Sequence, residues 1–349
     1  MNKNSNKIKK VILIIVISIV VLSLATLLLF YFVLPEREIS KNNQIKNIAY
    51  SNTTDSVNNN KSSGKKNNNQ NGSKKNINSN TNNSVQRNNQ SLNWNGIKSV
   101  NSEIVGWLKV PHTTIDNPVM LHKGDNENNQ YYLNKDYRKS YNINGSCFID
   151  YRSGANVKNI IIHAHHMNDG SMFGQLMKYG TYSGNLGFYK SAPTFKYSKS
   201  NKKVTTYKII SVFKTNTDSS QGKVFNYLIG NFYNKAEFLN YVYQVKARSL
   251  INCPVKVNEN DELITLSTCS YEYKDFRTVI VARKVRDGES SKVDTSKAKL
   301  QNGLWPDIHY SNKSNKPKVT TFLTEFSKSK NSLDWYDGNG NISGDERLL

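Results

Sequence analysis

Cysteine is scarce in this sequence: three residues among 349, at Cys147, Cys253 and Cys269. A small disulfide framework is excluded, because an odd count leaves one thiol free even if Cys147 and Cys253 pair. A free cysteine is commonly an inert core residue, but a partly exposed thiol beside cationic groups can be a nucleophile. The sequence around each cysteine must therefore indicate whether it is an inert core residue or a nucleophile.

Charged residues are absent from positions 11–34, which form a long apolar run. A helix of about 20 apolar residues spans the hydrocarbon core of a bilayer. The run stays bulky through Phe30-Tyr31-Phe32, whereas a cleaved signal peptide has a shorter apolar core that ends in small residues. Four lysines precede the run within residues 1–10 and mixed charges follow it. By the positive-inside rule we expect a cytoplasmic N-terminus at 1–10, a single-pass cell-membrane anchor at 11–34 and an extracellular remainder.

Acidic residues are few: 26 Asp and Glu stand against 48 Lys and Arg, and the formal net charge is +22. Such an excess is typical of proteins that bind nucleic acid, but an extracellular location argues against that partner. Anionic wall polymers or lipid headgroups remain as counter-charges. Simple solvation of a flexible tether explains the excess equally well.

Aromatic side chains are nearly absent from residues 35–91, where Asn, Ser and Lys dominate. Such a segment buries too little apolar surface to offset its ordering entropy, so we expect a disordered linker. Residues 92–286 regain apolar patterning and are long enough to form one folded domain. Residues 287–349 return to Ser, Lys and Asn, and we expect a loosely attached tail or a small appendage of unknown role.

Within residues 92–286 the apolar pattern predicts many short strands and few helices. Helices are expected in the first stretch, up to about residue 103, and at 236–250. Strands are predicted at 105–110, 116–121, 146–150, 157–163, 194–197, 204–213, 263–269 and 278–285. This content indicates a mainly β fold, a closed or nearly closed barrel with peripheral helices.

Histidine is also scarce, with six residues. His163, His165 and His166 follow a strand-like run, as the ligands of many zinc hydrolases do. The dinuclear pattern H-x-H-x-D-H, however, requires Asp and His where Met167 and Asn168 stand, and no second ligand group follows. We therefore expect no metal and no other cofactor.

A cysteine nucleophile fits the same region better. Cys269 ends the apolar run 264–268, and Arg277 follows eight residues later at the start of another strand-like run. A short loop between two adjacent strands would bring both side chains to one rim, and His165 follows the run 160–162. An imidazole can hold a thiol as thiolate and move protons, and a guanidinium can stabilise an oxyanion. The three residues together predict acyl transfer through a thioester.

These residues resemble the sortase family. The segment Thr265-Leu266-Ser267-Thr268-Cys269 with Arg277 matches its TLxTC…R signature, and segments 105–111, 131–134 and 169–173 are similar to its class B branch. The resemblance covers residues 92–286 and implies an eight-stranded sortase barrel and a membrane-bound cysteine transpeptidase. Such enzymes cleave a C-terminal sorting signal in a secreted protein, hold it as a thioacyl-enzyme and pass it to an amino group of the Gram-positive cell wall.

The family's site residues carry over by motif position. The resemblance implies His165 as general acid and base, Cys269 as nucleophile and Arg277 as the cation that stabilises the oxyanion or positions substrate. Ser267 and Thr268 are implied to line the substrate groove.

The chain departs from the family pattern at three positions. Ala164 replaces the common glycine before the catalytic histidine, His166 replaces the frequent asparagine after it, and Ser270 replaces an acidic residue after the cysteine. Because of His166 there are two candidate imidazoles, and motif position favours His165.

Two alternative functions remain open. A related sortase would join pilin subunits through a lysine amine, using the same thioester. A non-catalytic surface protein would instead use its basic tether to bind anionic wall polymers, with the barrel as a scaffold, since fold alone does not establish chemistry.

Overall fold

The computed structural model describes residues 3–29, 34–51, 91–122, 124, 131–310, 312–329, 333–342 and 344–346. The chain divides into two compact units, Met1–Asn93 and Trp94–Leu349.

The first unit contains helices α1 (Lys3–Leu28) and α2 (Leu34–Ala49). Within α1, Lys9–Leu28 has a mean hydropathy of 3.2 and is long and apolar enough to cross a membrane. Helix α2 lies where the sequence predicted the start of a disordered linker. Its sequence suits a helix, since Pro35 falls in the first turn and Lys46 in the last. Most of the predicted linker, residues 52–90, lies outside the described residues.

Among its described residues the second unit has ten strands, of which eight close into a barrel. In chain order they are β1 (Ile104–Lys109), β2 (Asp116–Met120), β3 (Cys147–Ile149), β4 (Asn159–His163), β5 (Thr194–Lys199), β6 (Thr205–Thr215), β7 (Ile251–Asn252), β8 (Leu263–Ser270), β9 (Phe276–Lys284) and β10 (Lys299–Leu300). The barrel order is β1-β2-β3-β4-β8-β9-β6-β5, and β5 pairs with β1 to close it. The short strands β7 and β10 pair with each other. The predicted eight-stranded barrel is confirmed.

Alternation along the strands separates two apolar cores. Ile160 and Ile162 of β4 and Leu266 of β8 belong to the cluster inside the barrel. Leu263 of β8 and Val279 of β9 belong to a second cluster on the outer surface. Because successive strand residues point to opposite faces, each of the central strands can be buried on both sides.

In the described part of this unit, four α-helices accompany the barrel: α3 (Trp94–Val100), α4 (Leu186–Ser191), α5 (Lys235–Arg248) and α6 (Phe322–Lys328). Helix α5 contributes Phe238 and Val242 to the outer cluster. It begins at Asn234, whose side chain accepts a hydrogen bond from the Glu237 backbone N–H and so caps the helix.

The described residues of the C-terminal segment, 287–310, 312–329, 333–342 and 344–346, pack as a small appendage, which is the second of the two expectations. Phe322 of α6 is fully buried and Leu333 is 5% exposed, and both belong to the outer cluster with α5. Trp305, also 5% exposed, packs into a third cluster with Leu250 and Phe276. This packing could not be predicted from the sequence, because isolated apolar residues in a polar stretch show no periodicity.

Candidate active site

The end of strand β8 brings Cys269 and Arg277 together. Strands β8 and β9 form an antiparallel hairpin in which Cys269 pairs directly with Arg277. Arg277 Nη1 donates hydrogen bonds to the carbonyl oxygens of Phe276 at 2.9 Å and Asp275 at 3.3 Å. The guanidinium is thus held at the loop end of the hairpin, as a short connection between the two strands predicted.

His165 is held by the backbone of a neighbouring segment. It follows β4, which runs parallel to β8 with His163 paired to Ser267. The Nε2 atom of His165 lies 2.7 Å from the carbonyl oxygen of Leu133. Because a carbonyl oxygen only accepts, Nε2 carries the hydrogen, and Nδ1 is the atom left for proton exchange.

His166 contacts the cysteine strand itself. Its Nδ1 donates a hydrogen bond to the Cys269 carbonyl oxygen at 3.0 Å, and its ring packs against Tyr271 with centroids 4.9 Å apart. One of its nitrogens is therefore committed to the backbone of the cysteine. Of the two imidazoles, His166 contacts the end of β8 directly, whereas His165 contacts Leu133.

Cys269 is the one accessible thiol among the three cysteines. All three are free, and Cys147 and Cys253 are buried, with exposed fractions of 0% and 2%, whereas Cys269 is partly exposed. Burial raises the pKa of the Cys147 thiol to about 12 and that of Cys253 to about 11. Neither buried thiol supplies an appreciable thiolate near neutral pH.

Treatment of the folded protein with iodoacetamide at about pH 7.5, well below the raised pKa values of the two buried thiols, is expected to alkylate Cys269 alone, because only a thiolate that solvent can reach reacts. Peptide mass mapping after quenching measures the modification of each cysteine. In guanidinium chloride all three should react. Alkylation of Cys147 or Cys253 in the native protein, at a rate comparable to Cys269, would contradict the described burial.

Ser267 and Thr268 are buried beside the site. The Ser267 hydroxyl is 2.8 Å from the Tyr227 hydroxyl, and Thr268 Oγ1 donates to the Ala164 carbonyl oxygen at 2.8 Å. Both hydroxyls are engaged within the protein. Thr268 ties β8 to the residue that precedes His165, while a part for either side chain in substrate binding stays a prediction.

An acidic residue lies near the cysteine, two positions further along than the family pattern places it. Ser270 Oγ donates to Glu272 Oε2 at 2.5 Å, and the other oxygen of Glu272 pairs with the buried Lys214 at 2.6 Å. Burial alone would raise the pKa of Glu272, but the Lys214 ammonium and the hydrogen bonds outweigh it and lower the pKa. This carboxylate fixes the loop after Cys269, and sequence reasoning missed it.

Another carboxylate, that of Asp150, follows strand β3, which pairs with β4. Asp150, fully buried, accepts two hydrogen bonds from the Arg152 guanidinium and lies 2.7 Å from His163 Nε2. Burial alone would raise its pKa, but the hydrogen bonds from Arg152 and His163 lower it well below the usual range. The sequence feature that could have predicted this buried ion pair is an aspartate directly after a buried strand, followed two residues later by an arginine.

The three histidines at the end of β4 and just after it each have a partner within the protein. His163 faces a carboxylate, and His165 and His166 face carbonyl oxygens. Across the described ranges, no group of three or more His, Cys, Asp or Glu side chains is arranged to hold a metal ion.

Comparison with known proteins adds independent findings. A family model described as a sortase domain matches residues 108–285. The sequence is 36% identical over 195 residues to sortase B of Listeria monocytogenes. The matched region spans 54% of this chain and 72% of that protein. It is 30% identical over 196 residues to sortase B of Staphylococcus aureus, with coverages of 54% and 73%. A solved Staphylococcus aureus sortase B–substrate complex is similar with 29% identity and a TM-score of 0.48, covering 55% of this chain and 84% of that one.

Proposed function

Because this chain belongs to the sortase family, in its class B branch, we propose that it joins secreted proteins to the cell wall by transpeptidation. The observation that carries the proposal is a single accessible thiol, Cys269, paired across a hairpin with Arg277. The substrate would be a secreted protein with a C-terminal sorting signal, and the acceptor an amino group of peptidoglycan.

In the first half-reaction Cys269 Sγ attacks the scissile carbonyl carbon, and its proton passes to Nδ1 of His165. The developing oxyanion is stabilised by the positively charged guanidinium of Arg277. The carbon–nitrogen bond then breaks as His165 returns the proton to the leaving amine. The product is a thioester between Cys269 and the cleaved protein.

In the second half-reaction the acceptor amine attacks the thioester carbonyl and gives its proton to His165. The carbon–sulfur bond breaks, a new amide forms, and the Cys269 thiolate takes the proton back. The hydrogen bond from Nε2 of His165 to the Leu133 carbonyl supports this cycle, because it orients the ring and stabilises its protonated form.

The apolar segment Lys9–Leu28 of helix α1 is consistent with membrane anchoring of a sortase. We propose a single-pass orientation with residues 1–10 in the cytoplasm and the catalytic domain outside. Four lysines before the apolar run support this orientation. It would place the site where secreted proteins and the wall meet.

The test is turnover and capture of the thioester by full-length protein in detergent. Quenched-fluorescent peptides with threonine at the cleavage position and varied flanking residues serve as donors, and triglycine serves as the amine. We expect cleavage, an amide product with triglycine, and a covalent adduct on Cys269 that hydroxylamine releases, detected by intact mass.

The outcomes separate the open alternatives. Transfer to Nε of a lysine peptide in preference to triglycine would favour the pilin-joining reaction over wall anchoring. A folded protein that forms no adduct and cleaves no peptide would contradict the proposal and favour a non-catalytic wall-binding protein.

A further inference from the structure

Residues 299–310 of the appendage, called the strap here, run from the end of helix α5 to the loop between β8 and β9. The family match ends at residue 285, so the strap lies outside it. The loop, residues 271–275, joins the strand of Cys269 to the strand of Arg277. Contacts that fix the conformation of this loop therefore also affect the positions of Cys269 and Arg277.

The strap is fastened to the C-terminal end of α5 by hydrogen bonds. Leu304 N–H donates to the Ala247 carbonyl at 2.9 Å, and Gln301 Nε2 donates to the carbonyls of Lys246 at 2.9 Å and Ser249 at 2.7 Å. The last carbonyls of a helix have no partner inside it, so these donors satisfy groups that would otherwise need water. This end of the strap is fixed to the body of the domain.

Trp305 is the part of the strap that reaches the hairpin. It packs against Leu250 and Phe276, with its ring 6.4 Å from that of Phe276 between centroids. Phe276 is fully buried, pairs with Ser270 and immediately precedes Arg277. A shift of Phe276 would therefore move the backbone that carries the guanidinium.

His309 extends the contact onto the loop. Its ring stacks on Trp305 with centroids 4.2 Å apart, and its Nδ1 lies 3.2 Å from the Tyr273 hydroxyl. Tyr182 lies beside the same group, since its ring stacks on Trp305 and its hydroxyl donates to the Glu272 carbonyl at 2.8 Å. Two consecutive loop residues thus depend on the aromatic stack around Trp305.

The loop needs such support. Asp275 adopts a φ of 59°, a left-handed conformation that non-glycine residues rarely hold without surrounding contacts. Thr217 Oγ1 donates a hydrogen bond to the Asp275 carbonyl oxygen at 2.8 Å. The strap adds contacts to the residues on either side of Asp275 in the chain, Tyr273 and Phe276.

We propose that the strap positions Cys269 and Arg277 for acyl transfer, with Trp305 as a positioning residue that acts through Phe276. The kinetic part of this inference rests on the proposed transpeptidase function. The structural part, that the strap stabilises the conformation of residues 270–277, does not depend on that function.

The test compares Trp305→Ala with Phe322→Ala in the full-length protein. Phe322 is a matched control: it is a fully buried aromatic of the same appendage, but its ring partners are Phe326, Trp335 and Tyr336. With the peptide that wild type cleaves fastest, Trp305→Ala is expected to lower kcat roughly 10- to 100-fold while KM changes less than about threefold. Trp305→Phe should restore kcat to within about threefold of wild type, because it keeps a ring against Phe276.

Hydrogen–deuterium exchange of the same variants gives a readout that needs no activity. In Trp305→Ala, amides of residues 270–277 should exchange roughly tenfold faster than in wild type, while Phe322→Ala leaves them unchanged. Equal losses of kcat in the two alanine variants, or an unchanged kcat in Trp305→Ala, would overturn the inference. If wild type cleaves no peptide the proposed function fails, and exchange alone then decides the strap: unchanged protection in Trp305→Ala would overturn it.

Discussion

Cys269→Ala is expected to reduce transpeptidation by at least about 10³-fold, to background, because alanine offers no atom that can form the thioester. The variant should fold, since Cys269 is partly exposed and its replacement empties no core position. The measurement is kcat/KM for the fluorogenic peptide, together with the intact mass after incubation. Neither turnover nor an adduct should be detected.

The two buried cysteines provide matched controls. Cys147→Ala and Cys253→Ala remove thiols from apolar clusters and are expected to cost about 1 kcal/mol in the free energy of unfolding. Their kcat/KM should stay within about threefold of wild type, since changes remote from the reacting atoms act mainly on stability. Substantial turnover by Cys269→Ala, or loss of turnover in a folded Cys253→Ala, would contradict the assignment of the nucleophile.

Substituting each of the two adjacent histidines should show which one acts as the general acid and base and which one has a structural role. His165→Ala is expected to lower kcat/KM roughly 10²- to 10⁴-fold, the usual range for loss of a general acid and base. His166→Asn should lower it less than about fivefold, because an amide can still donate to the Cys269 carbonyl as His166 Nδ1 does at 3.0 Å. The measurement is kcat/KM over a pH series, with melting temperatures to verify folding.

Added imidazole distinguishes a missing proton carrier from a misfolded site. It is expected to restore part of the activity of His165→Ala and to leave His166→Asn unchanged. The reverse pattern, with a severe and rescuable loss in a His166→Ala variant and little loss in His165→Ala, would identify His166 as the catalytic imidazole. The hydrogen bond of His166 to the cysteine strand would then be part of the mechanism.

The barrel could be predicted because its strands carry strong local signals. Runs such as Ile160–Ile162 and Leu263–Leu266 are buried on both faces, and their β-branched and aliphatic residues mark them in the sequence. All eight barrel strands lie at or near the predicted positions. The two-residue strands β7 and β10 were missed, since two residues define no periodicity.

The pairing of Cys269 with Arg277 could also be anticipated, because a separation of eight positions at the ends of two strand-like runs leaves room for little more than a hairpin turn. The two histidines could not be resolved in this way. Adjacent residues in a turn face different directions, and their partners, Leu133 and Cys269, are 32 and 103 residues away in the chain.

Local patterning was therefore sufficient for the apolar N-terminal segment, the eight barrel strands and the hairpin that carries Cys269 and Arg277, because each of these depends on residues close together in the chain. Long-range packing established the rest. It decides which thiols are buried and which ring nitrogen of His165 and of His166 forms a hydrogen bond. It also decides how Trp305 and Phe322 pack the appendage against the domain. Those features depend on contacts between residues tens of positions apart, and burial of an isolated aromatic residue leaves no periodic trace in the sequence.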